Sequence, residues 1–381
     1  MTETLNPRPV VLGGYAAKTC PEKLRLEHDP AYADLPLEPF PAGVQARMDA
    51  GNVFEAEVRA AWSKVLRRKM AILDSGDGSW EAKGAREAAT LALLASPGAV
   101  TVIWNPRLPA QPGAHRIGEP DALVLDHVDA AGAARWIPVD VKDHRALDGT
   151  AAHTTVASPL NRPGYASARP VDIGPGTPRR DDALQLAHYR RMLEHLGHAT
   201  DVPVGAIIGR EMQLIWHDLD AALYRHGTLG KTSALTWYDH EFARRVQIAT
   251  IARSGTSTPA PEWKADCASC PWRKVCHDEL TATDHATLLP GVTPDRAGRL
   301  LYPAGITTRR QLAAWQATGE KTDTQIRPLA DQARVTLAGK VHRARGIDTV
   351  TLPHATVEVD FDLENTPDGL VYLIVLTTTT T

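Results

Sequence analysis

The sequence predicts an α/β fold, a small mixed sheet sandwiched between helices. Three observations carry that prediction. Helix-like stretches at 43–69 and 83–95 precede three strand-like runs, 99–104 (AVTVIW), 120–126 (PDALVLD) and 135–142 (RWIPVDVK). A helical stretch follows at 181–196 (DDALQLAHYRRMLEHL), and two more strand-like runs lie at 203–209 and 212–218. Elements in that order bury their apolar faces as layers around a sheet.

The first helix, 43–69, counts Met48, Val58, Trp62 and Val65 among its apolar positions. Between the second and third strands, Asp129, Ala130, Ala131 and Gly132 supply a hairpin turn. The Pro/Gly/Ser-rich stretch from about 144 to 180 reads as a long mobile loop. Residues 219–262 read as mostly helical, with a cysteine cluster at 267–276, a compact segment at 288–316 and a strand-like tail beyond.

Bulk properties bound the function. A chain of 381 residues has room for two domains, and 43% hydrophobic with 23% charged residues is ordinary globular composition. A net charge of −3 gives no global basic field for nucleic acid. Basic clusters stand at Arg67-Arg68-Lys69, Arg179-Arg180 and Arg309-Arg310, each more often a solvated surface than a phosphate contact. No apolar run reaches the roughly 18 residues of a membrane span. The opening MTETLNPRPV lacks a signal-peptide pattern. The expectation is a cytoplasmic protein without a membrane partner, whose four cysteines are ligands rather than disulfides.

Asp140-Val141-Lys142 closes the third predicted strand, so Asp140 and Lys142 share one face while Val139 and Val141 point to the other. A turn centred between Ala130 and Ala131 sets Asp121 opposite Asp140. Two carboxylates and an ammonium then converge at one end of a hairpin. Like charges at such range repel unless a cation lies between them, and oxygen ligands suit Mg²⁺ or Mn²⁺. A third carboxylate comes from the first helix, where Gly51, Glu55, Val58, Trp62 and Val65 follow a 4-3-4-3 spacing. Glu57 is the competing choice and falls on another face.

These segments resemble the PD-(D/E)XK nuclease superfamily. GEPDALV at 118–124 and PVDVKDH at 138–144 are similar to its second and third motifs. Gln185 and Tyr189, in LQLAHYRRML, match the Q-x-x-x-Y motif of the RecB-like branch. GNVFEAEV at 51–58 departs from branch members that carry histidine there. The resemblance implies a restriction-endonuclease-like core, a mixed central sheet flanked by helices, with a mostly helical C-terminal appendage. It implies phosphodiester hydrolysis by Glu55, Asp121, Asp140 and Lys142 with Mg²⁺ or Mn²⁺, and Gln185 and Tyr189 either contacting DNA or bracing the site.

Cys20 stands far upstream of Cys267-x2-Cys270-x5-Cys276, in KTCPEKLRL and DCASCPWRKVC. A tight trio with one distant partner resembles the iron–sulfur staple of RecB-like nucleases, including AddB-type subunits and CRISPR-adaptation exonucleases. One 4Fe-4S cluster bound by Cys20, Cys267, Cys270 and Cys276 is what that resemblance implies. A C-x2-C zinc knuckle with Cys20 as a buried bystander is the alternative.

Residues 288–315 look like a helix-hairpin-helix. Pro290-Gly291-Val292 would form its hairpin, Ala297, Leu300 and Leu301 a helix face, and Leu312 a closing contact. Gly291 would let a phosphate approach backbone amides, or the segment is a plain helical packing module. In the tail, Asp360, Asp362 and Glu364 share one strand face and resemble the opening strand of an RNase H-like exonuclease domain that does not continue past the threonines at 377–381.

The expected organisation is a RecB-like nuclease domain at 1–285, a helix-hairpin-helix-like module at 286–335 and a strand-rich tail at 336–381. The expected activity is metal-dependent DNA cleavage in repair, recombination or foreign-DNA processing, by an exonuclease acting on single strands or free ends, with a helicase or repair protein as partner. A catalytically inactive iron–sulfur or zinc DNA-binding scaffold is the alternative.

Overall fold

In the computed structural model, which describes residues 9–150, 154–255, 260–340, 349, 355–365 and 371–380, an eight-stranded mixed sheet centres the first of two units, Met1–Leu288. Its strands in chain order are β1 (Met70–Ile72), β2 (Val102–Trp104), β3 (Ala122–Val128), β4 (Ala134–Val141), β5 (Thr155–Ser158), β6 (Arg169–Val171), β7 (Val204–Ile208) and β8 (Leu214–Asp218). They lie side by side in the order β1-β2-β3-β4-β7-β8-β5-β6. The β1–β2 and β4–β7 pairs are parallel and the others antiparallel. The class is therefore α/β, a large mixed sheet flanked by helices.

Helices cover both faces, which is why β7, Val-Gly-Ala-Ile-Ile, is buried at every residue. On one face lies α2 (Ala42–Leu66), preceded in the chain by the short α1 (Pro21–His28). Val58, Trp62 and Leu66 of α2 pack on Trp104, Val124, Val139 and Val141. On the other face, α4 (Arg180–Leu196) and α5 (Ala234–Ala252) bring Leu184, Leu186, Tyr238 and Phe242 against Ile207 and Ile215. Helix α3 (Trp80–Ala95) adds Leu94 to a cluster with Ile103, Leu123, Trp136 and Met192. Ser79 starts that helix three residues earlier than the apolar pattern suggests, because its hydroxyl accepts the Ala82 amide at 3.1 Å.

The hairpin register agrees with the expected one at the end that matters. Ala122 pairs with Val139 and Leu123 with Pro138, so Asp121 and Asp140 close the ladder together. A bulge at Asp126 shifts the register only nearer the turn.

Several expectations are corrected. The stretch 144–180 is no plain loop: β5 and β6 extend the sheet beyond β8, and Leu147–Asp148 pairs with Thr177–Pro178. Its alternating Thr155 and Ala157 are buried, a short signal that proline and glycine content hid. The segment after β8 opens with a ribbon, Tyr224–His226 against Gly230–Thr232, before α5. Met48 and Val65 of α2 are about half exposed, whereas Leu66 is buried, because the helix ends there in a turn that leads into β1.

Gly209 follows β7 where the chain passes the segment after Lys142. A Cβ there would lie 2.5 Å from the His144 carbonyl oxygen and 2.5 Å from a Glu211 carboxylate oxygen. Gly209→Ala is expected to cost about 1–3 kcal/mol by overpacking. Urea denaturation checks it; a midpoint equal to the parent's would mean that the 142–146 segment yields freely.

The second unit, Leu289–Thr381, is built from short pieces. Gly291 takes a φ of +83° with open space at its Cβ position, as a tight turn requires. A helical turn at Pro294–Arg296 runs into a π-helical segment, Ala297–Leu301, so the regular second helix of the expected hairpin motif is broken up. Val292, Ala297, Leu300, Leu301 and Leu312 are buried nonetheless. Helix α7 (Asp323–Ala338) packs in the same unit, with Ile326, Leu329, Ala330 and Ala333 inward. The tail forms an antiparallel pair, Val357–Asn365 with Val371–Thr380. Thr377–Thr380 continue that strand and pair back to Asp360–Val357. Residues 366–370 and 381 of the tail, and residues 1–8 of the opening segment, lie outside the described residues.

Candidate active site and thiol-lined cavity

The end of the β3–β4 hairpin gathers the charges. Asp140 is fully buried, and neither carboxylate oxygen has a well-aligned hydrogen-bond donor among the described residues. Its charge is met by the Lys142 ammonium, 2.6 Å from Oδ2. Burial alone would depress the Lys142 pKa, but Asp140, Tyr15 and Asp121 outweigh it and hold it above the ordinary value. Asp121 is tied to the same strand end, where its Oδ2 accepts the Val141 amide at 2.6 Å. Burial, and then repulsion from Asp140, push its carboxyl well above the usual range. Val139 and Val141 point the other way, into the cluster with α2, as strand alternation requires.

Glu55 of α2 is half-buried, whereas Glu57, the competing choice, is exposed. Burial and the Asp140 charge raise the Glu55 pKa, so the helix does bring it to the hairpin end. Glu55, Asp121 and Asp140 are coupled through their charges, yet their ligand oxygens do not all come within 4.8 Å of one another.

Gln185 and Tyr189 of α4 are both buried, 3% exposed each, which limits them to bracing. Gln185 Nε2 donates to the Tyr189 hydroxyl at 3.1 Å, and that hydroxyl donates to the Glu119 carbonyl at 3.2 Å. The tyrosine thereby pins the Gly118–Asp121 segment. Gly118 is required there, since a Cβ would meet the Met192 sulfur at 2.8 Å and the Tyr189 ring at 3.0 Å. Arg86 and Arg107 hold the Glu119 side chain from the other side.

Three participants escaped the sequence. Lys18 sends its ammonium to Gln185 Oε1 at 3.3 Å, and burial followed by the charge of Lys142 lowers its pKa. The Tyr15 ring lies 4.3 Å from that ammonium and 5.9 Å from the one on Lys142. Asp182, at the start of α4, is 5% exposed with Oδ2 lacking a hydrogen bond, and burial raises its pKa against the pull of His144, Lys142 and Lys18. The D-x-K spacing, the hairpin register and the helical stripe with Glu55 pointed to chemistry in sequence; a lysine in the opening segment and an aspartate in a helical first turn carried no such mark.

A pH dependence follows. Asp121, Asp182 and Glu55 all have raised folded-state values, so the stability they contribute is fully present below their ordinary values, 3.8 for an aspartate. It is lost as pH rises through the raised values. Asp121→Asn should therefore gain in thermal midpoint over the parent as pH rises from about 4. Calorimetry of parent and variant across pH, in chelator, tests it, and a difference that does not change with pH would contradict it.

The four cysteines line one cavity of about 260 Å³, with Lys18, Glu22, Lys264 and Arg273 also on its wall. Cys20 is the N-cap of α1, Cys267 sits in the turn Ala265–Ser269, Cys270 follows that turn, and Cys276 lies in α6 (Arg273–Ala282). Burial, then Glu22 and the other thiols, push the Cys276 thiol up to about 12, and burial also raises Cys267. No three sulfurs all lie within 4.8 Å of one another. A tetrahedral zinc with bonds of about 2.3 Å would draw them to roughly 3.8 Å apart.

Among the described residues one group does meet that closeness, His226, His240 and Glu241. The His226 ring argues against a metal there: Nδ1 accepts from the Thr228 and Leu229 amides at 3.1 and 3.2 Å. Its Nε2 must then carry the proton that faces Glu241 at 3.2 Å, whereas ligation through Nε2 needs that nitrogen bare.

No family model, curated protein or solved structure matches this chain.

Proposed function

We propose that this chain is a divalent-metal-dependent DNA nuclease of the PD-(D/E)XK type, with a four-thiolate iron–sulfur site. The observation that supports it most is Asp140: a fully buried carboxylate with no aligned donor, opposite Asp121 at a hairpin end and 2.6 Å from Lys142. A buried carboxylate met by a single ammonium still has lone pairs to offer a cation. Asp121 and Asp140, with Glu55 from α2, would hold Mg²⁺ or Mn²⁺, which supplies phosphoryl polarisation and a more acidic bound water. Lys142, whose ammonium lies beside Asp140, would steady charge developing on the phosphate. Gln185 and Tyr189 keep the Asp121 segment in place.

For the thiols, the shared cavity and the donor set support a four-thiolate cluster site. The four thiols would bind it as thiolates. Cys20 comes from the opening segment and the other three from the C-terminal flank of the unit, so the cluster would close the nuclease core between them.

Digestion of end-labelled single-stranded, duplex and flapped DNA with Mg²⁺ or Mn²⁺, under anaerobic conditions, tests the proposal. Cleavage of at least one substrate, abolished by chelator, is expected. DNA binding without any cleavage would leave only the scaffold role.

A further inference from the structure

A second cavity of about 260 Å³ shares Lys18 with the carboxylate–lysine cluster. Besides Lys18, its wall presents Arg180, Arg245, Asp181, Glu241 and Trp237, three cations against two carboxylates. His226, also on the wall, accepts the Thr228 and Leu229 amides at its Nδ1. Arg245 is committed to structure: it is 6% exposed, bonded to Glu241 at 2.6 Å and to the Thr19 carbonyl at 2.9 Å.

Arg180 is differently placed. Its side chain is 49% exposed and its ion pair is with the equally exposed neighbour Asp181. The guanidinium lies 5.0 Å from the Trp237 ring centre, and that ring is in turn braced edge-on by His226 at 4.6 Å. A planar guanidinium resting on a fixed aromatic face is pre-oriented for the paired oxygens of a phosphate. Its sequence neighbour Arg179 instead turns away, to the Arg145 carbonyl and Asp148. Among the described residues Lys18 makes two long hydrogen bonds, to Gln185 Oε1 and the Asp181 carbonyl, both at 3.3 Å. Lys142 is its like-charged neighbour, while the charges of Asp182, Asp181 and Asp140 also act on it.

We infer that this cavity seats the phosphodiester next to the scissile one on a single DNA strand, with Arg180 and Lys18 as its cationic partners. The inference rests on the nuclease reading, since Lys18 links the cavity to the proposed metal site. The cavity, about 260 Å³, has room for a phosphate group, and a single strand is the form flexible enough to bend its backbone into it.

The test uses the full chain carrying Asp140→Asn, so that the strand is not consumed, and reads the fluorescence anisotropy of labelled oligo-dT across a salt series. Arg180→Ala in that background is expected to weaken binding about fivefold to tenfold and to reduce the salt slope by about 0.7, one phosphate contact on a single strand. Arg179→Ala should change neither, and a blunt duplex should lose less than the single strand. An unchanged affinity for Arg180→Ala, with an unchanged melting curve, would overturn the inference. So would an equal loss for Arg179→Ala, which marks diffuse surface charge. Free dTMP or inorganic phosphate competing as strongly as the oligonucleotide would assign the cavity to a released product and also overturn it. Cleavage by the parent chain is measured separately. If the parent cleaves while Arg180→Ala binds normally, this inference alone falls; if the parent never cleaves while the Arg180 effect persists, the nuclease reading falls and the strand site stands.

Discussion

Asp140→Asn is expected to abolish cleavage and to weaken Mn²⁺ binding by more than about 100-fold, since even a residue that merely orients a metal ligand is worth 10–100-fold in affinity. Asp140 is at once the deepest carboxylate of the site and the one with no aligned hydrogen-bond donor. The substitution should not unfold the protein. An amide oxygen can take the place of the carboxylate beside Lys142, and the repulsion that adds to burial in raising the Asp121 pKa disappears. The Asp121 titration is therefore expected to move back toward its ordinary value in the variant. Lys142→Met makes the complementary case, because it should keep Mn²⁺ binding while losing cleavage. Isothermal titration and a single-turnover cleavage assay separate the two. Undiminished cleavage by Asp140→Asn, in a preparation free of parent protein, would remove the hairpin end from consideration as the active site.

Cys20→Ser is expected to remove the cluster as completely as Cys270→Ser, although the two cysteines sit at opposite ends of the first unit. All four thiols line one cavity, and one missing thiolate opens the site. The anaerobically purified parent should be brown, with broad absorption near about 400 nm, and both variants colourless. Cluster binding is coupled to folding, so the thermal midpoint should fall by at least about 10 °C in either variant. The raised pKa values of Cys267 and Cys276 give the sign of a further effect. Thiols that resist ionisation release protons when they bind iron, so reconstitution should be more complete at high pH. A parent protein carrying stoichiometric zinc and no iron, or a Cys20→Ser variant that keeps its colour, would defeat the four-thiolate site.

Periodicity and spacing alone determined a good deal about this protein. Strand alternation put Asp140 and Lys142 on one face, and the turn at 129–132 set the hairpin register that places Asp121 beside them. Both are local: the pleat repeats every two residues and a hairpin turn fixes its own pairing. The clustering of Cys267, Cys270 and Cys276 was equally legible, because their separation is short along the chain.

The tertiary structure decided the rest. Lys18 and Tyr15 reach the site from an opening segment with no pattern of its own, and Asp182 enters because α4 packs across the sheet. β5 and β6 form only because β8 offers an open edge, so a stretch rich in proline and glycine becomes ordered where its composition argued for a loop. Gln185 and Tyr189 were visible as a pair on one helix face, but whether they meet DNA or the protein depended on which way that face turned. Burial gave the answer: that face is packed into the protein and braces Asp121. Local geometry is written in residue spacing, whereas burial and long-range contact depend on which distant surfaces happen to pack together.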